Sequence, residues 1–207
     1  MQPVQLVPPM IPFEIRSIRR AASIVSSGGL IVFPTDTVYG LGCNPKDEGA
    51  VSRLFEAKGR EAKPVPVLCA SKTFADKLVK MGPVAQRLAG RFWPGRLTIV
   101  SPLKSAVPFP LHQGTGALGV RVPSGVLCRR LILECGGCLT GTSANLSGRP
   151  SSRSALQAAR QLGDSVDLVL DGGALRGSES TVVKVAHGKI EILRQGPVRV
   201  TDKAKTA

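Results

Sequence analysis

The chain has 207 residues, of which 43% are hydrophobic and 20% charged. That balance excludes wholesale disorder and supplies enough apolar surface for one sizeable core. Twenty-eight Lys and Arg against 14 Asp and Glu leave a formal charge of +14, which suits a polyanionic partner such as RNA, DNA, ATP or anionic lipid without choosing among them.

Residues 1–13 carry four prolines and no basic residue, so they lack the charged start and long apolar stretch of a signal peptide. An extended arm over 1–12 on a cytoplasmic protein is expected. No apolar run reaches the roughly 20 residues of a membrane span. Residues 14–27 place Ile15, Ile18, Ala21, Ala22 and Val25 at helical spacing, and Gly28-Gly29 stops the helix. A short apolar strand follows at 30–33. Residues 47–57 predict a second helix, capped by Asp47, with Val51, Leu54 and Phe55 on one face. A strand at 65–70 is interrupted by Pro66, which argues for an edge or a bulge. Helices are expected at 71–81 and 83–92, strands at 97–101 and 118–122, a helix at 125–134 and a strand at 138–141. A helix at 152–162 precedes strands at 168–170, 181–185 and 190–193. His187-Gly188-Lys189 reads as a hairpin turn. About seven strands and six helices in alternation imply one α/β domain, a twisted mixed parallel and antiparallel sheet flanked by helices.

The five cysteines, Cys43, Cys69, Cys128, Cys135 and Cys138, are an odd number sitting mostly in apolar runs. They read as buried thiols of a reducing compartment. Cys135-Gly-Gly-Cys138 has no second pair and no neighbouring His, so it is read as small residues leading into a strand rather than as a zinc or redox site.

Four groups of polar residues interrupt the apolar pattern, some of them at strand ends, where open α/β sheets usually bind ligands. Thr35-Asp36-Thr37-Val38-Tyr39-Gly40 packs two hydroxyls, a carboxylate and the chain's single Tyr behind a strand, more than a turn requires. Lys58-Gly59-Arg60-Glu61-Ala62-Lys63 puts three cations after a helix. They serve either the helix dipole or a phosphate or carboxylate. Thr140-Gly141-Thr142-Ser143-Ala144-Asn145-Leu146-Ser147-Gly148 concentrates hydroxyls, Asn and Gly without forming a P-loop or Rossmann fingerprint. Arg121, inside the apolar run 118–122, needs either a carboxylate or an anionic ligand to meet its charge. Ser180 and Arg194 flank the last strands. His112 and His187 lie far from all of these segments.

In order along the chain, these segments together resemble the YrdC-like family, the threonylcarbamoyl-AMP synthases. The resemblance rests on Phe33-Pro34-Thr35-Asp36-Thr37-Val38-Tyr39-Gly40-Leu41-Gly42 and on Lys58-Gly59-Arg60 with Lys63-Pro64. It continues through Trp93-Pro94-Gly95 with Leu97-Thr98, Val120-Arg121-Val122-Pro123 and Thr142-Ser143-Ala144-Asn145-Leu146-Ser147-Gly148. It spans about 14–197. Glu61 stands where the family commonly has Pro, and the stretch before Lys63-Pro64 is one residue shorter. Val65-Pro66-Val67-Leu68-Cys69 lacks a His that some relatives carry.

The resemblance implies a catalytic domain over 13–198 in the short form, with a flexible basic tail at 199–207. It implies a nucleotidyltransferase that makes L-threonylcarbamoyl-AMP and pyrophosphate from L-threonine, bicarbonate and ATP. The product would serve threonylcarbamoyladenosine formation at position 37 of tRNAs reading ANN codons, through a partner transferase. Lys58, Arg60, Ser143 and Asn145 would be catalytic. Thr35, Tyr39, Arg121, Thr140 and Ser180 would bind threonine, with Thr37 as an alternative to Thr35. Lys58, Arg60, Lys63, Thr142, Ser143, Asn145, Ser151 and Arg194 would bind ATP. Mg²⁺ would arrive on ATP rather than in a protein cage, tRNA would bind weakly and no membrane is involved. Two other readings remain at this stage: a non-catalytic RNA-binding protein of the same fold, and a paralogue acting on another small molecule.

Overall fold

The structure, a computed structural model, describes residues 8–59 and 63–200. Its elements are, in order, β1 (Met10–Pro12), α1 (Ile15–Ser26), β2 (Ile31–Pro34), β3 (Tyr39–Gly42), α2 (Glu48–Ala57) and β4 (Val67–Cys69). Then come α3 (Lys72–Leu78), α4 (Pro83–Phe92), β5 (Leu97–Pro102), α5 (Phe109–His112), β6 (Ala117–Arg121) and α6 (Val126–Glu134). The chain continues through β7 (Cys138–Thr140), β8 (Thr142–Ser143), α7 (Ala155–Leu162), β9 (Leu168–Asp171), β10 (Thr181–Ala186) and β11 (Lys189–Arg194).

The expected mixed α/β architecture is present, with its strands divided between two sheets. One runs β1-β9-β2-β3-β8, the other β11-β10-β5-β6-β4-β7. Parallel pairs (β1 with β9, β2 with β9, β5 with β10, β4 with β6) mix with antiparallel ones in both sheets. The chain crosses from the second sheet to the first at Gly141, between β7 and β8. That crossing carries Thr142, Ser143 and Asn145 into the junction between the sheets.

Local chemistry explains the helices that frame this junction. In α1, Ile18, Ala21 and Val25 face inward, and Ser17 exchanges hydrogen bonds with the Glu14 backbone, N–H to Oγ at 3.1 Å and Oγ to C=O at 2.8 Å. The Asp47 Oδ1 accepts the Ala50 N–H at 3.0 Å at the start of α2. Val51, Leu54 and Ala57 then anchor that helix, and the next residue, Lys58, is delivered to the junction. His187 and Gly188 both have positive φ, 50° and 73°, as the two-residue turn between β10 and β11 demands.

Three expectations change. Pro66 marks neither an edge nor a bulge: β4 begins after it, at Val67, and lies between β6 and β7. The residues read as loops at 39–42 and 142–143 are strands, held by pairing of Gly40 with Ser143 and Leu41 with Thr142. The end of the arm, Met10–Pro12, pairs with β9 as an outer strand, a position where proline is tolerated. At the other end, Val198 and Val200 pack against a small cluster of α4, β5 and β10 residues, so the tail is anchored through 200. The rest of it lies outside the described residues, as does the greater part of the arm.

Candidate active site

A cavity of about 1030 Å³ opens where the two sheets meet. Three groups of side chains build it.

The first is centred on Lys58, which is 1% exposed. Its Nζ donates to the Ser143 carbonyl at 2.5 Å and to the Asn145 carbonyl at 2.7 Å. The Ser147 N–H in turn donates to the Lys58 carbonyl at 2.9 Å. The lysine therefore shapes the 142–148 loop as well as charging it. Asn145 Nδ2 is used up on the Leu146 and Arg149 carbonyls, at 2.9 and 2.7 Å. Its Oδ1 is buried and has no hydrogen-bond partner among the described residues. A buried acceptor left unmet costs about 1–3 kcal/mol, a penalty that a ligand donor would relieve.

The second group surrounds Arg121. Its guanidinium donates from Nε to the Gly95 carbonyl at 2.9 Å and from Nη1 to Thr37 Oγ1 at 3.2 Å, and it forms an ion pair through Nη2 with Asp36. The other Asp36 oxygen accepts from Ser124 Oγ at 2.8 Å. Both charged side chains are nearly sealed from solvent, at 5% and 7% exposure. Burial lowers the Arg121 pKa, and the Asp36 carboxylate opposes that shift. Gly95 is required here because a Cβ would meet the Phe92 carbonyl oxygen at 2.4 Å. Thr35 Oγ1 donates to the Val38 carbonyl at 2.7 Å and accepts from the Thr37 N–H at 3.0 Å. With its donor so committed, it accepts from Thr37 Oγ1 at 2.8 Å. Thr35 and Thr37 thus form one hydroxyl chain leading to Arg121, and both line the cavity.

The third group is Ser180, Glu179 and Arg194. Ser180 Oγ shares a 2.8 Å hydrogen bond with Thr98 Oγ1, and Arg194 donates to the Ser180 carbonyl at 3.0 Å. Arg194 also pairs with Glu179, whose other oxygen accepts from Ser151 Oγ at 2.6 Å.

Of the residues expected in the site, Thr35, Tyr39, Lys58, Lys63, Arg121, Thr142, Ser143, Asn145, Ser180 and Arg194 line the cavity. Arg60 lies outside the described residues. Ser151 is not a lining residue and stands behind Glu179. Thr140 is corrected: it is fully buried and absent from the lining. Its Oγ1 accepts the Cys43 N–H at 2.8 Å and lies 3.5 Å from the Cys43 sulfur. The chain leaves β7 after Thr140 and joins the other sheet at β8, so Thr142 reaches the cavity while Thr140 stays in the core. Tyr39 contributes to the wall, but its hydroxyl points at the segment after β9. It donates to the Gly173 carbonyl at 2.7 Å and accepts from the Gly172 N–H at 3.0 Å. Desolvation pushes its pKa up to about 12. Asp36 and Glu179 were not singled out as site residues. The cost of a buried Arg inside a strand was the available signal for Asp36. Neither His112 nor His187 lines the cavity. Among the described residues no group of three or more His, Cys, Asp or Glu could hold a metal ion.

The Sua5/YciO/YrdC family model, described as telomere recombination, matches residues 23–196. The chain belongs to this family. The threonylcarbamoyl-AMP synthase of Pyrococcus abyssi is 42% identical over 182 residues, 86% of this chain and 54% of its own length. That of Bacillus subtilis is 37% identical over 87% of this chain and 54% of its own length. The chain thus spans about half the length of these two curated relatives. It covers 85% of a putative threonylcarbamoyl-AMP synthase of Mycobacterium tuberculosis at 38% identity. Among solved structures, Sua5 of P. abyssi complexed with L-threonine superposes with a TM-score of 0.85 at 40% identity, covering 92% of this chain and 57% of that one. YciO of Escherichia coli gives 0.81 at 28% identity, covering 93% of this chain and 94% of that one.

Proposed function

We propose that this protein is an L-threonylcarbamoyladenylate synthase, converting L-threonine, bicarbonate and ATP to L-threonylcarbamoyl-AMP and pyrophosphate. The observation that carries the reading is the shared cavity. Its wall holds the buried Arg121 with the Thr35–Thr37 hydroxyls, suited to an amino acid with a carboxylate and a hydroxyl, together with Lys58, Lys63, Arg194 and residues of the 142–148 loop, suited to a nucleotide. The relatives named for this activity, and the Sua5 complex with L-threonine, support it.

On this reading the threonine amine condenses with bicarbonate, losing water, to give a carbamate. A carbamate oxygen then attacks the α-phosphorus of ATP, and pyrophosphate leaves. The step needs alignment and charge neutralisation more than a proton-shuttling side chain. Arg121 orients the carboxylate, while Arg194 and Lys63 meet phosphate charge. Lys58 holds the loop that presents Ser143 and the unmet Asn145 oxygen. ATP enters as its Mg²⁺ complex, the metal riding on the triphosphate. By analogy with the family, Arg60 and Thr142 join the ATP side and Ser180 the threonine side. The product passes to a threonylcarbamoyl transferase acting on tRNA, in the cytoplasm, with weak direct tRNA binding. No helix among the described residues is long and apolar enough to cross a membrane.

The test is pyrophosphate release from ATP, measured with and without each co-substrate. Release that requires both L-threonine and bicarbonate is expected. Equal release with serine, or without any amino acid, would refute the assignment.

A further inference from the structure

The structure pairs Cys138 with Cys69 rather than with the near neighbour Cys135. Cys69 on β4 and Cys138 on β7 stand directly opposite each other on antiparallel strands. The Ala70 N–H donates to the Gly137 carbonyl at 3.0 Å, one residue beyond Cys69 and one before Cys138. That bond makes the cysteines a non-hydrogen-bonded pair, the arrangement in which facing Cα atoms lie about 4.5 Å apart with both side chains on one face. Disulfides take Cα separations of about 4.4–6.8 Å, so the backbone already sits in range. Cys69 is 0% exposed and Cys138 is 9% exposed.

We propose that Cys69 and Cys138 form a reversible cross-strand disulfide when the protein meets hydrogen peroxide. Cys138, the more exposed of the two residues, attacks the peroxide O–O bond. One oxygen leaves as water and Cys138 becomes a sulfenic acid. The Cys69 sulfur displaces the sulfenate oxygen, which leaves as a second water. Two thiols are oxidised by two electrons, and the peroxide is reduced to two waters. The assignment of roles agrees with the electrostatics. The Cys69 thiol, buried beside Cys138, keeps its proton more firmly, whereas Cys138 is shifted towards the thiolate by its neighbour Cys69 and by Lys46 and Lys77. Cys135 has no such help: burial and Glu134 push its pKa up to about 12, leaving a poor nucleophile.

The inference does not depend on the proposed activity. Its test is hydrogen peroxide treatment of the native chain, followed by intact mass and peptide mapping under non-reducing conditions. The expected result is a loss of 2 Da, from removal of two hydrogens, in a cross-linked peptide joining Cys69 to Cys138 and reversed by dithiothreitol. Cys135→Ser should leave the cross-link unchanged, and Cys138→Ser should abolish it. A thermal midpoint raised by several degrees should accompany it, because the bond closes a long loop in the unfolded chain. No mass loss, a bond between Cys135 and Cys138, or irreversible oxygen addition at Cys138 with Cys69 still free would each overturn the proposal. The mapping on the wild-type chain decides the matter even if a serine variant fails to fold.

Discussion

Asp36→Ala tests the construction of the site most directly, because it removes one half of a buried ion pair. Arg121 and Asp36 are 5% and 7% exposed. Breaking such a pair from one side leaves an uncompensated buried charge and costs about 3–5 kcal/mol. Arg121 keeps its bonds to Gly95 and Thr37, so the low end, about 3 kcal/mol, is expected. For a chain of this size, that corresponds to a fall in Tm of roughly 6–12 °C. The exposed pair Arg130–Glu134, at 60% and 35% exposure, is the control, and Glu134→Ala should cost no more than about 0.5 kcal/mol. Urea unfolding followed by the single Trp93 gives both values. Adding Arg121→Met should recover part of the loss, since the stranded charge is then gone. The double-mutant cycle should show coupling of about 1–3 kcal/mol. An Asp36→Ala variant within about 0.5 kcal/mol of wild type, or strict additivity in the cycle, would refute the account of Arg121 as a charge held by Asp36.

Tyr39 is the chain's only tyrosine, so absorbance at 295 nm titrates it alone. Its folded pKa, about 12, lies above the ordinary 10.0. The folded state therefore binds this proton more tightly. That contribution to stability is complete below pH 10 and is lost as pH rises towards 12. A tyrosinate midpoint near pH 10 in a chain that keeps its native circular dichroism would contradict the buried hydroxyl. Thr140→Val should leave the apparent KM for threonine within about twofold. It should destabilise the fold by about 1–3 kcal/mol, because the buried Cys43 N–H loses its acceptor. A large rise in that KM with unchanged stability would return Thr140 to the threonine pocket. Asn145→Ala should cut product formation by roughly 10²–10³ while tRNA affinity at fixed salt stays within about twofold. Near-normal synthesis with lost tRNA affinity would favour an RNA-reading loop instead.

Helical periodicity made α1, α2, α4 and α7 legible from sequence, because each buries one stripe, such as Ile18, Ala21 and Val25 in α1. The hairpin at His187-Gly188 was equally plain, since few residues tolerate two successive positive φ values. β3 and β8 were not legible. Tyr39-Gly40-Leu41-Gly42 is buried on both faces and shows no alternation, and β8 is two residues long. They exist because β3 pairs with β2 on one side and with β8 on the other, a property of the assembled sheet. The candidate site was legible as residue types but not as partners. Arg121 announced a need for compensation, yet nothing local identifies a carboxylate 85 positions away. Thr140 shows the opposite error. It sits two residues from Thr142, and only the passage from one sheet to the other at Gly141 separates a core hydroxyl from a cavity hydroxyl.

That partner structure changes how the net charge should be read. The cavity wall carries Lys58, Lys63, Arg121, Lys184 and Arg194, but also Glu179 and Glu191, with Asp36 directly behind Arg121. Two of the three groups that build the site are arginines already held by carboxylates. The cavity is therefore nearer to balance than a +14 chain suggests. On the proposed function, anion recognition there would rest on oriented donors rather than on accumulated charge. Most of the excess lies outside the cavity, on residues such as Arg16, Arg19 and Arg20 along the exposed side of α1. Phosphate-driven contact with RNA would be shared among those residues, and it would weaken steeply with salt. Lys58 and the Arg121–Asp36 pair should respond to salt far less, because they are buried, whereas Lys63 and Arg194 are exposed and should be screened.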